Sequence, residues 1–228
     1  MNKTTRPIID SFMMGLLLTL IAHTFLPGTF HEAVGLGFLA TVGWHLRLSL
    51  RKSRGAGRAP YSWTRASQRL IEILLAANIL LLAATGLSLA RHLFVLAYSP
   101  FRPSLARPLH RILAHTGFLL VGVHIGLRLP SFLALVGVRR QRSATPRFLR
   151  FAGYLACSLA VAFGLAAAVR RGYFLFDLSS NLMRFSDPEE PVAAFLVDHA
   201  AILSMSIIIG VSSRRSIRGI ESRLPKKG

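Results

Sequence analysis

His31–His45 reads HEAVGLGFLATVGWH and His110–His124 reads HRILAHTGFLLVGVH; in each, a histidine opens an apolar run and another follows fourteen residues later. Fourteen steps of about 100° bring an α-helix back to within about 40° of its start, after a rise of about 21 Å. Each run therefore carries two imidazoles on one helix face, near opposite sides of a bilayer about 30 Å thick. Two such helices side by side offer two facing pairs of imidazoles at two depths. That arrangement predicts two haems, with His31 and His110 at one iron and His45 and His124 at the other.

The rest of the composition agrees with a membrane setting. The chain has 228 residues, 52% of them hydrophobic, a mean hydropathy of +0.49 and 16% charged residues. Soluble domains carry about 25% charged residues. The fold class expected is all-α: a polytopic membrane protein in contact with lipid, without a separate soluble domain. A formal charge of +19 invites a nucleic-acid partner, but the Lys and Arg residues sit in short stretches between apolar runs. That distribution sets topology and attracts anionic headgroups, and it argues against nucleic acid. The single cysteine, Cys157, cannot form an internal disulfide, an iron–sulfur set or a C-x-x-C-H attachment. Any haem would be held non-covalently, as haem b.

Six membrane-length segments are expected: Ile8–Leu26, His31–Leu50, Leu70–Leu93, Leu109–Leu129 (closed by Pro130), Arg150–Val169 and Val192–Val211. The first lacks a small-residue cleavage site and reads as a permanent helix. Segments one and two resemble three and four, a plain apolar helix followed by one with paired histidines. This predicts a duplicated hairpin forming a di-haem four-helix bundle over residues 1–150. Residues 151–228 then add two further helices. Of 28 Lys and Arg residues, 21 fall on the side of the two termini and seven on the other. The positive-inside rule makes both termini cytoplasmic, with His31 and His110 near the outer face. The connection RRGYFLFDLSSNLMRFSDPEEP, with its aromatics Tyr173, Phe174, Phe176 and Phe185 and acids Asp187, Glu189 and Glu190, is expected to lie along the outer surface.

Further histidines crowd the outer side. His92, in LSLARHLF, is placed at the end of the third helix; it could replace His31 or His110 as a ligand, bond a propionate, or serve as a proton or electron exit. His23 and His199 read as supporting or interfacial groups. His115 lies about 140° around the helix from His110 and points off the ligand face. Arg47, Arg51 and Arg128 on one side, and Arg91, Arg107 and Arg111 on the other, are candidates for propionates. Gly35, Gly37, Gly43, Gly117, Gly122 and Gly126 admit either a flat macrocycle or a close helix. Asp10 and Glu72 are expected to pair with nearby arginines. The chain has no phosphate-binding glycine loop, zinc spacing or visible catalytic triad.

RPIIDSFMMGLLLTLIAHTFLPGTFHEAVG, GWHLRLSL, TGLSLARHLF, LHRILAHTGFLLVGVHIGLRL and FSDPEEPVAAFLVDHAAI, in that order, resemble the flavinylation-associated cytochrome family of bacterial and archaeal membrane proteins, often catalogued as a domain of unknown function. The likeness runs from Arg6 to about Val211. It implies a haem-b subunit of the cytoplasmic (inner) membrane that passes electrons to extracytosolic partners bearing covalent flavin. His31, His45, His92, His110 and His124 match the family's recurrent histidines. The family often continues H-x-G-x-H after the fourth helix; here Arg128 stands in place of the last histidine. Two other readings remain open: a quinol-oxidising or ferric-reductase-like enzyme subunit, which would bind a quinone, and a non-redox transporter using histidines as ion ligands.

Overall fold

The structure, a computed structural model, describes residues 5–55, 62–93, 101–135, 146–174 and 190–223. Among these the regular elements are all helical: α1 (Thr5–Ile21), α2 (Gly28–Gly55), α3 (Trp63–Leu89), α4 (Pro103–Leu135), α5 (Arg147–Arg170) and α6 (Val192–Glu221). A short 3-10 turn, His23–Phe25, joins α1 to α2. Helices are what apolar runs must form in hydrocarbon, because each backbone N–H and C=O then finds a partner within its own segment. Five of the six, α2 to α6, are long and apolar enough to cross a membrane. At 17 residues, α1 spans about 26 Å and falls short of a full crossing by its own length.

Several segment ends differ from expectation. Pro27 does not separate two helices by a free turn; its carbonyl accepts from Phe30 and His31, so α2 starts at Gly28 and His31 lies in its first turns. Helix α3 starts seven residues before Leu70 and stops at Leu89, which leaves His92 beyond the helix. Helix α4 begins at Pro103, where a missing N–H costs nothing, and continues through residue 130 to Leu135. Proline at 130 removes one intrahelical donor. One turn earlier, the Leu127 carbonyl accepts from Gln68 Nε2 at 3.0 Å and from Arg214 Nη1 at 2.7 Å. Those two donors, from α3 and α6, stitch three helices together at that level. Helix α6 runs ten residues past Val211.

Helix α4 packs most closely against α6 and α3, α5 against α6, and α1 against α2; α3 also touches α6. The α4–α6 seam is backbone to backbone. A Cβ on Gly126 would fall 2.2 Å from the Ile207 carbonyl and 2.9 Å from Gly210 Cα, and one on Gly122 would strike Ser206 Cβ at 2.4 Å. Those glycines thus serve helix contact. Gly117 does the same toward α3, where Asn78 Oδ1 would lie 2.5 Å from an added Cβ. The buried core joins Phe118 of α4, Ala167 and Ala168 of α5, Ile202 and Met205 of α6 and Tyr173, with Leu17, Leu18 and Ile21 of α1 packed on it. Helix α6, which the sequence assigns to a second unit, is therefore central to the packing. In contrast, among the described residues the helix packed closely on α2 is α1.

Cross-links identify two ends. At one, Asp10 meets His45, Glu72 meets Arg128, and Glu221 accepts from Ser62 Oγ (2.8 Å), Thr64 Oγ1 (2.8 Å) and the Thr64 N–H (3.2 Å). Glu221 so caps the start of α3 from a different helix, where a negative charge suits the helix dipole. At the other end lie His31, His110 and the ion pairs of Arg170 and Arg171. Successive helices thus alternate in direction.

Candidate functional site

The sequence-chosen histidines fall into two groups, one at each end. On α2, His31 faces His110 of α4 with ring centres 6.5 Å apart and planes at 75°. Two imidazoles on opposite sides of one metal ion, each at about 2 Å, have ring centres roughly 6 Å apart. The two rings are therefore close enough that they could hold one metal ion between them. Thr85 Oγ1 stands 3.0 Å from both the Leu81 and Leu82 carbonyls and 3.1 Å from His110 Nδ1. With its one proton on a carbonyl it accepts from Nδ1, and that tautomer leaves Nε2 with the lone pair a metal ligand needs. Gly86 makes room for the ring: a Cβ there would sit 3.2 Å from His110 Cε1. Nδ1 of His31 is buried without a hydrogen-bond partner. His23 stands edge-on to His31 at 5.7 Å.

At the opposite end, His45 Nδ1 donates to Asp10 Oδ1 at 2.8 Å across α1 and α2. A carboxylate only accepts, so here too Nε2 is the free nitrogen. His124 lies within electrostatic reach of His45, Asp10, Glu72 and Arg128. Glu72 pairs with Arg128 as expected; Asp10 pairs with a histidine instead of an arginine. The reason is position: Asp10, three residues inside Pro7, is at the depth of His45. Among the described residues no three His, Cys, Asp or Glu side chains converge as a metal site. The candidate sites are two-histidine sites.

His92 is placed elsewhere than at a helix end facing the pair. Its Nδ1 donates to Glu32 Oε1 at 3.0 Å, its ring rests on Gly28, and its side chain is 49% exposed. The same carboxylate accepts the N–H groups of Arg91 (2.9 Å), His92 and Leu93 (2.8 Å), tying the residues after α3 to the start of α2. Of the propionate candidates, Arg128 is engaged with Glu72, Arg47 and Arg107 are exposed, and the side chain at 51 lies outside the described residues.

His115 points away from the ligand face, toward α6, and stacks on Tyr173 with centres 4.2 Å apart and planes 10° apart. Tyr173 itself is a correction. Expected on the surface, it is only 3% exposed. Gly172, at φ 68°, ends α5 in a left-handed turn, with Gly172 N–H bonded to Val169 O and Tyr173 N–H to Ala168 O. That Schellman closure turns the next side chain inward; RRGY was its signal. Burial pushes the Tyr173 phenol up, and its hydroxyl has no partner. Outside it, Arg171 binds Glu190 and Asp198, the latter at 2.9 Å, while Arg170 reaches Asp198 at 2.8 Å. Hydrogen bonding to Glu190 first, then Asp198, raises the Arg171 pKa despite partial burial. His199, 5% exposed, stacks on Phe195 and gives its Nδ1 proton to the Phe195 carbonyl at 2.9 Å. Phe174 is half exposed; Phe176, Phe185, Asp187 and Glu189 lie outside the described residues.

Sequence reading missed Thr85 and Glu32 altogether and gave Asp10 the wrong partner. Glu32 had a visible signal, an acid directly after the first histidine; Thr85 had none, since its role depends on which face of α3 meets α4. No family model, curated protein or solved structure matches the chain.

Proposed function

We propose that the chain is a b-type di-haem cytochrome of the cytoplasmic membrane, related to the flavinylation-associated cytochromes. It relays electrons across the membrane to an extracytosolic, flavin-bearing acceptor. In this reading all six helices cross, α1 with help from its flanking residues, and both termini are cytoplasmic because most Lys and Arg lie on their side. His31 and His110 would hold one haem, His45 and His124 the other. When bound, bis-imidazole iron has no open position and supplies one-electron transfer in preference to oxygen chemistry.

The observation that carries the proposal is the meeting of His31 and His110, ring centres 6.5 Å apart, with His110 Nδ1 in hydrogen-bond contact with the Thr85 hydroxyl and its Nε2 left for a ligand. The separation of α2 from α4 supports the same reading, since a macrocycle needs the space that a close-packed seam would occupy. Purified protein should give reducible low-spin b-type bands at about two haems per chain. His110→Ala and His124→Ala should each remove one of the two. Full haem content in both variants, or none in the parent chain after expression with ample haem, would defeat the assignment.

One observation favours a quinol-oxidising form of this activity. His92 is half exposed, with Nδ1 bonded to Glu32, so Nε2 is free to accept a proton at that end. Quinol-dependent haem reduction abolished in His92→Ala, with both haems retained, is the result this form requires.

A further inference from the structure

The two candidate ligand pairs are backed by different chemistry, and the difference has a direction. His45 gives its Nδ1 proton to the Asp10 carboxylate at 2.8 Å. His110 Nδ1 stands 3.1 Å from the neutral Thr85 hydroxyl, and His31 Nδ1, though buried, has no hydrogen-bond partner. A carboxylate behind a ligating imidazole draws the N–H proton toward itself and makes the ring a stronger electron donor. A stronger donor, with a negative charge nearby, favours the more oxidised metal. In the low dielectric of a membrane interior that charge is poorly screened.

We propose that Asp10, acting through His45 as a positioning residue, makes the His45/His124 site the harder of the two to reduce, so that electrons run downhill toward the His31/His110 end. The inference rests on the di-haem reading and adds a polarity to it.

Other carboxylates do not cancel the asymmetry. Glu32, next to His31 in sequence, acts on that ring only through space, because its oxygens are bonded to the 91–93 backbone and His92. Glu190 and Asp198 are neutralised by Arg170 and Arg171, and Glu72 by Arg128. Among the described residues Asp10 is the acid bonded to a ring of the two assigned pairs, whereas Glu32 is bonded to His92.

The test is a spectroscopic redox titration of the full-length haem-loaded protein in detergent, with haem content measured on the same samples. The parent chain should show two separated midpoints. Asp10→Asn keeps the size and an acceptor oxygen but removes the charge; it should raise the lower midpoint by roughly the equivalent of a tenfold change in the reduction equilibrium, about 59 mV for one electron. The upper midpoint should stay in place. Asp10→Glu should restore the low value. Unchanged midpoints in an Asp10→Asn protein that keeps both haems overturn the proposal while leaving the cytochrome reading intact. If Asp10→Asn loses a haem, His45→Ala decides: the haem that remains must titrate at the upper midpoint, and the lower one remaining overturns the polarity. A parent chain without haem defeats the underlying reading instead.

Discussion

Helix α4 meets α6 through glycines and faces α2 through histidines, and the two sides are built on opposite terms. Along the α4–α6 seam, Gly122, Gly126 and Gly210 bring backbones so close that a single added Cβ collides with main-chain or Cβ atoms at 2.2–2.4 Å. On α2, Gly37 and Gly43 have no atom of another part of the chain within 4 Å of where a Cβ would go. Polar links tie α2 to its surroundings: His45 to Asp10, and Glu32 to residues 91–93. Without a hydrophobic drive between helices in lipid, close van der Waals contact and hydrogen bonds are what hold them. The seam uses the first and α2 the second. A helix held by its ends, with no seam against α4, can present two imidazoles across a space.

The seam should be the more fragile to volume. Gly126→Leu should prevent α4 and α6 from approaching and greatly lower the yield of folded protein. The smaller Gly126→Ala should cost about 1–3 kcal/mol, because the obstructing atoms are backbone and cannot rotate aside. Thermal unfolding in detergent measures it, and a Tm equal to the parent's would show that the helices sit farther apart than described. A smaller, local effect is expected where polar links replace the seam. Glu32→Gln leaves an amide with one acceptor oxygen for the N–H groups of residues 91–93, and amide exchange there should rise roughly tenfold. Exchange no faster than in the parent would mean that the start of α2 is held by something other than this carboxylate.

How much of this was readable beforehand depended on whether a feature is local or shared between helices. The spacing of the paired histidines, the helical class and the turn of His115 away from the His110 face follow from a 3.6-residue period and are legible along the sequence. That Glu72 pairs with an arginine was expected; that the arginine is Arg128 of α4 was not. Asp10 and Thr85 were not readable in this way, because their partners are chosen by which helix lies alongside, and spacing within one helix does not encode that. Pro130 misled for a related reason. A proline there leaves the carbonyl four residues back without its helical donor, yet α4 runs on to Leu135, held at this level by Gln68 and Arg214 on the neighbouring Leu127 carbonyl. Tyr173 went to the wrong side because its aromatic character was weighed and the glycine before it was not.

The least disruptive change sharpens the contrast most. At Gly43 an alanine adds one methyl group and meets no other part of the chain. The backbone there is helical, so the substitution also removes conformational freedom that the unfolded glycine would otherwise keep. Gly43→Ala should therefore leave unfolding unchanged or raise stability by up to about 1 kcal/mol. The same methyl at Gly126, on α4, is expected to destabilise. Comparable losses at both positions would mean that this face of α2 is occupied by another chain, and the open side of the helix would then be an interface between proteins and not a surface left to lipid.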